Sequence, residues 1–331
     1  EHSTEDRAVP GSNPGDGINM RYGLMEYATN NTGDDIQSIA ARQYLPRVDC
    51  RIQRDYLNLY KGPKTNLILN GWFSHKPKNW PPSPDIDPLF VSFHITDGAI
   101  EEYTSESSIK YLKQHEPIGC RDRKTTEILK QMGVDAYFSG CLTLTLKKSG
   151  NKTRNTGVLA VDLDVGSYKA IPNQIADELD TLSHKSETSQ SKFENFAAKL
   201  LPAVITNHLK SIYSNEIRHS LRNRLHNSEY TFKKEQIAER LLNKYQAATL
   251  VITSRLHVAL PCLAYDTPLL FVHPNLDDPR FTGLLQYLNS YTPETFQSVA
   301  SELDYYDIEN PKPVDGIARR LEERCQEFVK E

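Results

Sequence analysis

The chain has 331 residues, 38% of them hydrophobic and 25% charged, with a formal net charge of −4. Such a composition describes globular domains with a sizeable core, and it excludes a binder that works by neutralising nucleic-acid phosphates. No run approaches the roughly 18 apolar residues of a membrane-spanning helix, so basic residues that matter must be clustered in a cleft.

The chain opens EHSTEDRAVPGSNPGDGIN, polar and rich in glycine and proline, and residues 1–19 read as a disordered tail or stalk. No methionine starts it, which suggests a trimmed N-terminus from which a signal or membrane tether was removed. Two sequons, Asn30-Asn31-Thr32 and Asn151-Lys152-Thr153, permit passage through the secretory pathway. The expectation is a tethered enzyme of the secretory lumen, as in the Golgi, rather than the cytoplasm. Five cysteines (Cys50, Cys120, Cys141, Cys262, Cys325) show no CxxC or zinc spacing, so single buried thiols and no metal are expected.

The folded part begins at Met20. MRYGLMEYA reads as a first strand, and DDIQSIAARQYL as a helix with Ile36, Ile39 and Ala40 at helical spacing and Asp34 as N-cap. RVDCRIQR, NLILNGW and LFVSFHI read as strands, with a proline-rich loop between the last two. SESSIKYLKQHE is a short helix, PIGC a strand, RDRKTTEILKQMG a helix with Gly133 after it, and DAYFSG and LTLTL the last strands of this half. KKSGNKTRNTG is the best linker. Beyond it, VLAVDL and ELDTLSH are strands and KFENFAAKLLPAVITNHLKSIY is helical, with Pro202 dividing it. EQIAERLLNKYQ, the strand LVIT, the helix HVALPCLAY, the strand PLLFV and the terminal helix GIARRLEERCQEFVKE complete the series.

Short apolar strands alternating with helices predict an α/β chain of two doubly wound Rossmann-like domains facing across a cleft. Residues 20–150 form the N-terminal, acceptor-side domain and 151–309 the C-terminal, donor-side domain. A helix over 310–331 packs back on the first.

Ligands of such sheets sit beyond the carboxyl ends of the strands. Applied here, the rule returns Asn31, Gly33, Asp34, Asp35, His75, His94, Arg121, Asp122, Arg123, His184, Ser254, Arg255, His257 and His273. Asp34 and Asp122 equally suit plain N-caps, His94 and His273 suit half-buried histidines, and Arg121 and Arg123 suit solvated charges. Arg255 is less easily dismissed: it separates an apolar strand from an apolar helix, so its head must emerge at the sheet edge. Thr253 or Ser254 would cap that helix, leaving free amides beside the guanidinium. IGCRDRKTT repeats the arrangement with Arg121, and two arginines on opposite walls suit a small ligand with two anionic groups. No GxGxxG, GxxxxGK[ST] or GxSxG occurs.

Three stretches, NNTGDDIQSIAA, PIGCRDRKTTEILKQMGV and LVITSRLHVALPCLAYDTPLLFV, resemble the polysaccharide pyruvyl transferase family. Their spaced set of GDD, GxRD and TSRLH frames most of the chain. The resemblance implies a GT-B-like fold and transfer of pyruvate from phosphoenolpyruvate, a co-substrate, to two hydroxyls of a sugar on a glycan or lipid-linked oligosaccharide. A cyclic ketal forms and phosphate leaves, with no cofactor.

Arg121, Arg255 and His257 carry over as donor-site residues, the arginines clamping carboxylate and phosphate and His257 serving as proton donor or phosphate ligand. Ser254 and His273 join the donor side. Asp35, ahead of Asp34, is the candidate base at the acceptor hydroxyl, and His75 a second proton-transfer candidate. Trp72 and Trp80 suit stacking on a sugar ring, though core packing suits Trp72 as well, and His94 completes the acceptor side. Two alternatives stay open on the same scaffold: a glycosyltransferase using a nucleotide sugar, and an inactive carbohydrate-binding protein.

Overall fold

The computed structural model describes residues 20–73, 75–150, 154, 156–184 and 228–330. The tail, the sequon at Asn151, part of the linker and the stretch KFENFAAKLLPAVITNHLKSIY lie outside the described residues.

The first domain runs β1 (Arg21–Glu26), α1 (Thr32–Arg42), β2 (Cys50–Gln53), β3 (Thr65–Trp72), β4 (Ile86–His94), α2 (Ile100–Tyr103), α3 (Glu106–Lys113), β5 (Ile118–Cys120), α4 (Arg123–Gln131) and β6 (Ala136–Phe138). The second runs β7 (Val158–Val161), α5 (Val165–Ala170), β8 (Leu179–Leu182), α6 (Ser228–Ala247), β9 (Leu250–Thr253), α7 (Leu256–Ala264), β10 (Leu269–Val272), β11 (Asn289–Tyr291), α8 (Pro293–Val299) and α9 (Asp315–Lys330). Every strand pairing is parallel, in the orders β2-β1-β3-β4-β5-β6 and β11-β10-β9-β7-β8.

Each sheet's order, counted in its own chain direction, begins two-one-three-four. Each therefore reverses between its first and third strands, β1 and β3 in one domain and β7 and β9 in the other. Such reversals open the crevice in which ligands of these sheets bind. Strands β7, β9 and β10 are buried along their whole length, which is why they are written as unbroken apolar runs.

Two sequence expectations are corrected, and two short elements are added. Asn31, not Asp34, caps α1, its side chain accepting from the Gly33 amide, so Asp34 stands inside the first turn. LTLTL is not a strand: Leu142–Thr145 is a single 3-10 turn, closed by the Thr145 hydroxyl on the Leu142 carbonyl and by the Leu142 amide on the Ser92 hydroxyl. Its leucines enter the shared core rather than a sheet. Beyond β10, the short elements β11 and α8 were unanticipated.

One apolar cluster crosses the domain boundary, joining Leu24 and Ile36 of the first domain to Val251, Val258 and Phe271 of the second. Helix α9 returns to the first domain, where the Tyr22 hydroxyl donates to the Val329 carbonyl at 3.1 Å. A buried polar link comes from α6. Lys234, 1% exposed, reaches Asp35 Oδ1 at 3.1 Å and the Tyr27 carbonyl at 2.9 Å. The adjacent Glu235 receives Arg42 at 3.1 Å and Arg51 at 2.6 Å.

Removing one partner of a buried ion pair strands the other charge, at a cost of about 3–5 kcal/mol. Lys234→Met should therefore lower the thermal midpoint sharply, and Lys234→Met with Asp35→Asn should recover at least half of the loss. An unchanged midpoint in the single variant would show that the pair does not fasten the domains.

Candidate active site

The two crevices merge into one cavity of about 280 Å³. Asn31, Asp34, Gln37, Trp72, His94, Thr96 and Arg121 line it from the first domain, and His184, Arg255, Leu256, His257 and Arg280 from the second. Three guanidinium groups and three imidazoles thus face a single carboxylate on its walls.

Arg121 follows β5 directly, its amide donating to the Phe93 carbonyl at 2.8 Å. The residue is 3% exposed, its Nε has no hydrogen-bond partner, and it makes no ion pair among the described residues. Burial holds the guanidinium below its ordinary pKa. Arg255 and Arg280 differ in being braced from behind. Arg255 Nε donates to Asp162 Oδ2 at 2.8 Å, joining the ends of the two strands that flank the second reversal. Arg280 donates to Asp278 through Nε at 2.9 Å and Nη2 at 2.6 Å.

Arg280 reaches the site because its loop docks on the start of α4. The amides of Arg123 and Lys124 donate to the Thr282 carbonyl and hydroxyl at 3.1 and 3.3 Å. Gly283 completes this turn at φ +90, where a Cβ would stand 2.8 Å from the Phe138 ring. The start of α4 is thereby consumed by this loop and by the Asp122 cap, whose Oδ1 accepts from Thr125 at 2.8 Å.

The start of α7 is arranged differently. Arg255 occupies its N-cap position with no side-chain cap, correcting the expectation of a serine or threonine there. Thr253 Oγ1 accepts from the Arg255 amide instead, and the Ser254 hydroxyl donates to the Asp162 carbonyl at 2.6 Å. No hydrogen bond within the described residues takes up the amides of Leu256 and His257. Both are donors at the positive end of a helix dipole, beside three guanidinium groups, which is the arrangement an anion requires.

The histidines are held neutral. Burial, with Arg121 beside it, pulls the His94 imidazole down to about 4. Burial does the same to His184, also to about 4, and drives His257 well below its ordinary value. His94 Nδ1 bonds Asp122 Oδ2 at 2.6 Å, and His184 Nδ1 meets the Tyr245 hydroxyl at 3.0 Å. Each leaves its Nε2 without a partner. His257 Nε2 lies 3.9 Å from Cys141 Sγ. Gly33 allows this closeness, since a Cβ there would lie 2.9 Å from His257 and 3.1 Å from His184 Nε2.

On the opposite wall, Asp34 accepts from the Thr29 hydroxyl at 2.5 Å and pairs with buried Arg54 at 3.4 Å. Arg54 also bonds Asp55 at 3.0 Å and His75 at 3.1 Å, and lies over the Tyr27 and Trp72 rings. Trp72 turns toward the cavity through a bulge at Gly71, whose φ of +130 would strain any other residue.

The structure therefore brings Asp34, Trp72, His94, Arg121, Arg255 and His257 together and leaves five expected site residues outside the lining. Asp35 is turned away from the cavity into Lys234, and burial raises its carboxyl to about 7. Ser254 spends its hydroxyl on the sheet. His75 stands on Arg54 and Asp55 beyond Trp72. His273 Nδ1 engages Asn275, and its ring stacks on Phe271. Trp80 packs among Phe73, Phe90, Phe93, Tyr103 and Tyr111, so it serves the core rather than a sugar face. Sequence reasoning missed Arg280, Gln37 and Thr96. The Asp278-Pro279-Arg280 run was the available signal for the first, because an aspartate two residues before an arginine can hold its guanidinium.

A family model described as polysaccharide pyruvyl transferase matches residues 31–273. No curated protein matches the chain. Among solved structures, a UDP-N-acetylglucosamine 2-epimerase crystal structure is similar at 10% identity and a TM-score of 0.46, over 91% of this chain and 95% of that one.

Because His94 and His184 titrate near 4 in the folded chain and near 6.5 when unfolded, unfolding takes up protons between these values. Their contribution is fully present above pH 6.5 and is lost as pH falls toward 4, on the order of 3 kcal/mol each. The thermal midpoint should decline across this window, and His184→Gln should flatten the decline. An equally steep decline in the variant would contradict a neutral buried His184.

Proposed function

The chain belongs to the polysaccharide pyruvyl transferase family, and from that premise we propose that it transfers the three-carbon unit of phosphoenolpyruvate to two hydroxyls of a sugar acceptor, closing a cyclic ketal and releasing phosphate. The observation that carries this reading is Arg121: a buried guanidinium with no ion pair among the described residues, facing a cavity shared with Arg255, Arg280 and the free α7 amides. An unpaired buried charge is costly, and an anionic ligand removes the cost.

Phosphoenolpyruvate carries two anionic groups on three carbons, and the cavity has two groups of donors for them. Arg255, Arg280 and the amides of Leu256 and His257 suit the tetrahedral phosphate. Arg121 suits the planar carboxylate. The volume of about 280 Å³ lies just under the usual range for small-molecule sites, which favours a compact donor over a nucleotide sugar. The acceptor sugar would enter from the Trp72 side, where the indole offers a flat face and Asp34 a base for a hydroxyl proton. Asp34 replaces Asp35 in that role because it, and not its neighbour, faces the cavity.

Protonation of the methylene carbon develops positive charge at the neighbouring enol carbon; a sugar hydroxyl adds there, and the second hydroxyl displaces the phosphate. Fixed donors on that phosphate stabilise its departure, as oriented dipoles and cations do in other transfer reactions. Arg121→Ala and Arg255→Ala should each lower kcat/KM at least 100-fold, about 2.7 kcal/mol of transition-state stabilisation, in a phosphate-release assay with a sugar panel. Near-normal turnover in either variant would overturn the two-arginine clamp.

A further inference from the structure

Among the described residues, His94 is the one cavity histidine whose ring is held by a carboxylate. Its Nδ1 lies 2.6 Å from Asp122 Oδ2. Asp122 is itself fixed, with Oδ1 accepting from the Thr125 amide at 2.8 Å and Oδ2 from the Thr125 hydroxyl at 3.1 Å. A carboxylate on this side requires the proton on Nδ1, so Nε2 is the atom left to exchange protons. That atom is buried and unpartnered in a residue 2% exposed, on the wall of the Arg121 cavity. The ring of His257, by contrast, meets a thiol and no carboxylate at hydrogen-bond range among the described residues, and its amide suits the phosphate.

We propose that His94, oriented by Asp122, carries the proton that makes the donor electrophilic and later accepts one from the sugar; the assignment rests on the pyruvyl-transfer reading above. The imidazolium gives its Nε2 proton to the methylene carbon of phosphoenolpyruvate. The carbon–carbon π pair forms the new C–H bond, and the central carbon becomes oxocarbenium-like. The first sugar hydroxyl adds there, its proton passing to Asp34. The second hydroxyl then forms its own bond to the same carbon and returns a proton to His94, while the C–O bond to phosphate breaks with its electron pair on the leaving oxygen. Asp34 hands its proton to that phosphate. One proton has gone to carbon and one to phosphate, both from the sugar, and the two side chains end as they began.

The charges facing His94 explain how it is loaded. Arg121 and Asp122 come from the turn before α4, Arg280 from the loop beyond β10, and His257 from the start of α7. Without an anion, burial and Arg121 keep the ring neutral. A donor with a carboxylate and a phosphate offsets the arginines, so the ring gains its proton when the donor binds.

The test compares wild type, His94→Gln and Asp122→Asn in two assays, phosphate release with a sugar panel and thermal stabilisation by phosphoenolpyruvate. His94→Gln should keep the stabilisation and lose about 1000-fold in turnover. Asp122→Asn keeps an oxygen for the Thr125 cap but removes the charge behind His94. Its fall in kcat at alkaline pH should therefore begin at least one pH unit lower than in wild type. Turnover of His94→Gln within tenfold of wild type, or an unmoved alkaline limb in Asp122→Asn, overturns the proposal. A wild-type protein that neither gains stability from phosphoenolpyruvate nor releases phosphate overturns the pyruvyl-transfer reading itself.

Discussion

Arg121 is a buried positive charge that makes no ion pair among the described residues, Asp122 and Asp278 acting on it only from further away. Such a charge costs several kcal/mol unless something neutralises it. Its surroundings limit that cost in two ways. Asp162 and Asp278 pair with the two other guanidinium groups of the cavity, which offsets their charge and holds them in place. The three imidazoles stay neutral, which avoids adding further cations to the same small volume. An arriving anion meets donors that are already aimed, and little of its binding energy is spent on ordering them.

The topology explains why one cavity can draw on both domains. Each sheet reverses once, and each reversal opens toward the other. The Asp162–Arg255 pair spans the second reversal, while Asn31, Asp34 and Trp72 border the first. Holding the two in register requires a firm domain contact. A shared apolar cluster supplies it, together with Lys234 buried against Asp35 and the return of α9 to the first domain. Gly33 lies where α1 meets His184 and His257, so the domain contact and the cavity wall are continuous.

The alternation of short apolar strands and helices made the two parallel sheets legible. Arg121 and Arg255 were legible too, because the residue after a buried strand has to emerge at its end. Direction around a helix was not. Asp34 and Asp35 are neighbours about 100° apart, and Lys234, distant in sequence, decides which one faces the cavity. Arg280 was hidden because its loop, not a strand end, delivers it, and the docking of that loop on α4 is a contact between domains. LTLTL carried the alternation of a strand, yet its leucines are called into the core shared by both sheets. Trp80 shows the same limit: a tryptophan beside a proline-rich loop suits a sugar platform or a core, and the five aromatic rings around it settle the matter only in three dimensions.

The proposed dependence on a small dianionic donor is tested most directly by calorimetric titration of the intact protein with phosphoenolpyruvate, run beside titrations with nucleotide sugars. One saturable site for phosphoenolpyruvate is expected, with net proton uptake on binding, competition by inorganic phosphate and no heat from the nucleotide sugars. Saturable binding of a nucleotide sugar, with none for phosphoenolpyruvate, would contradict it.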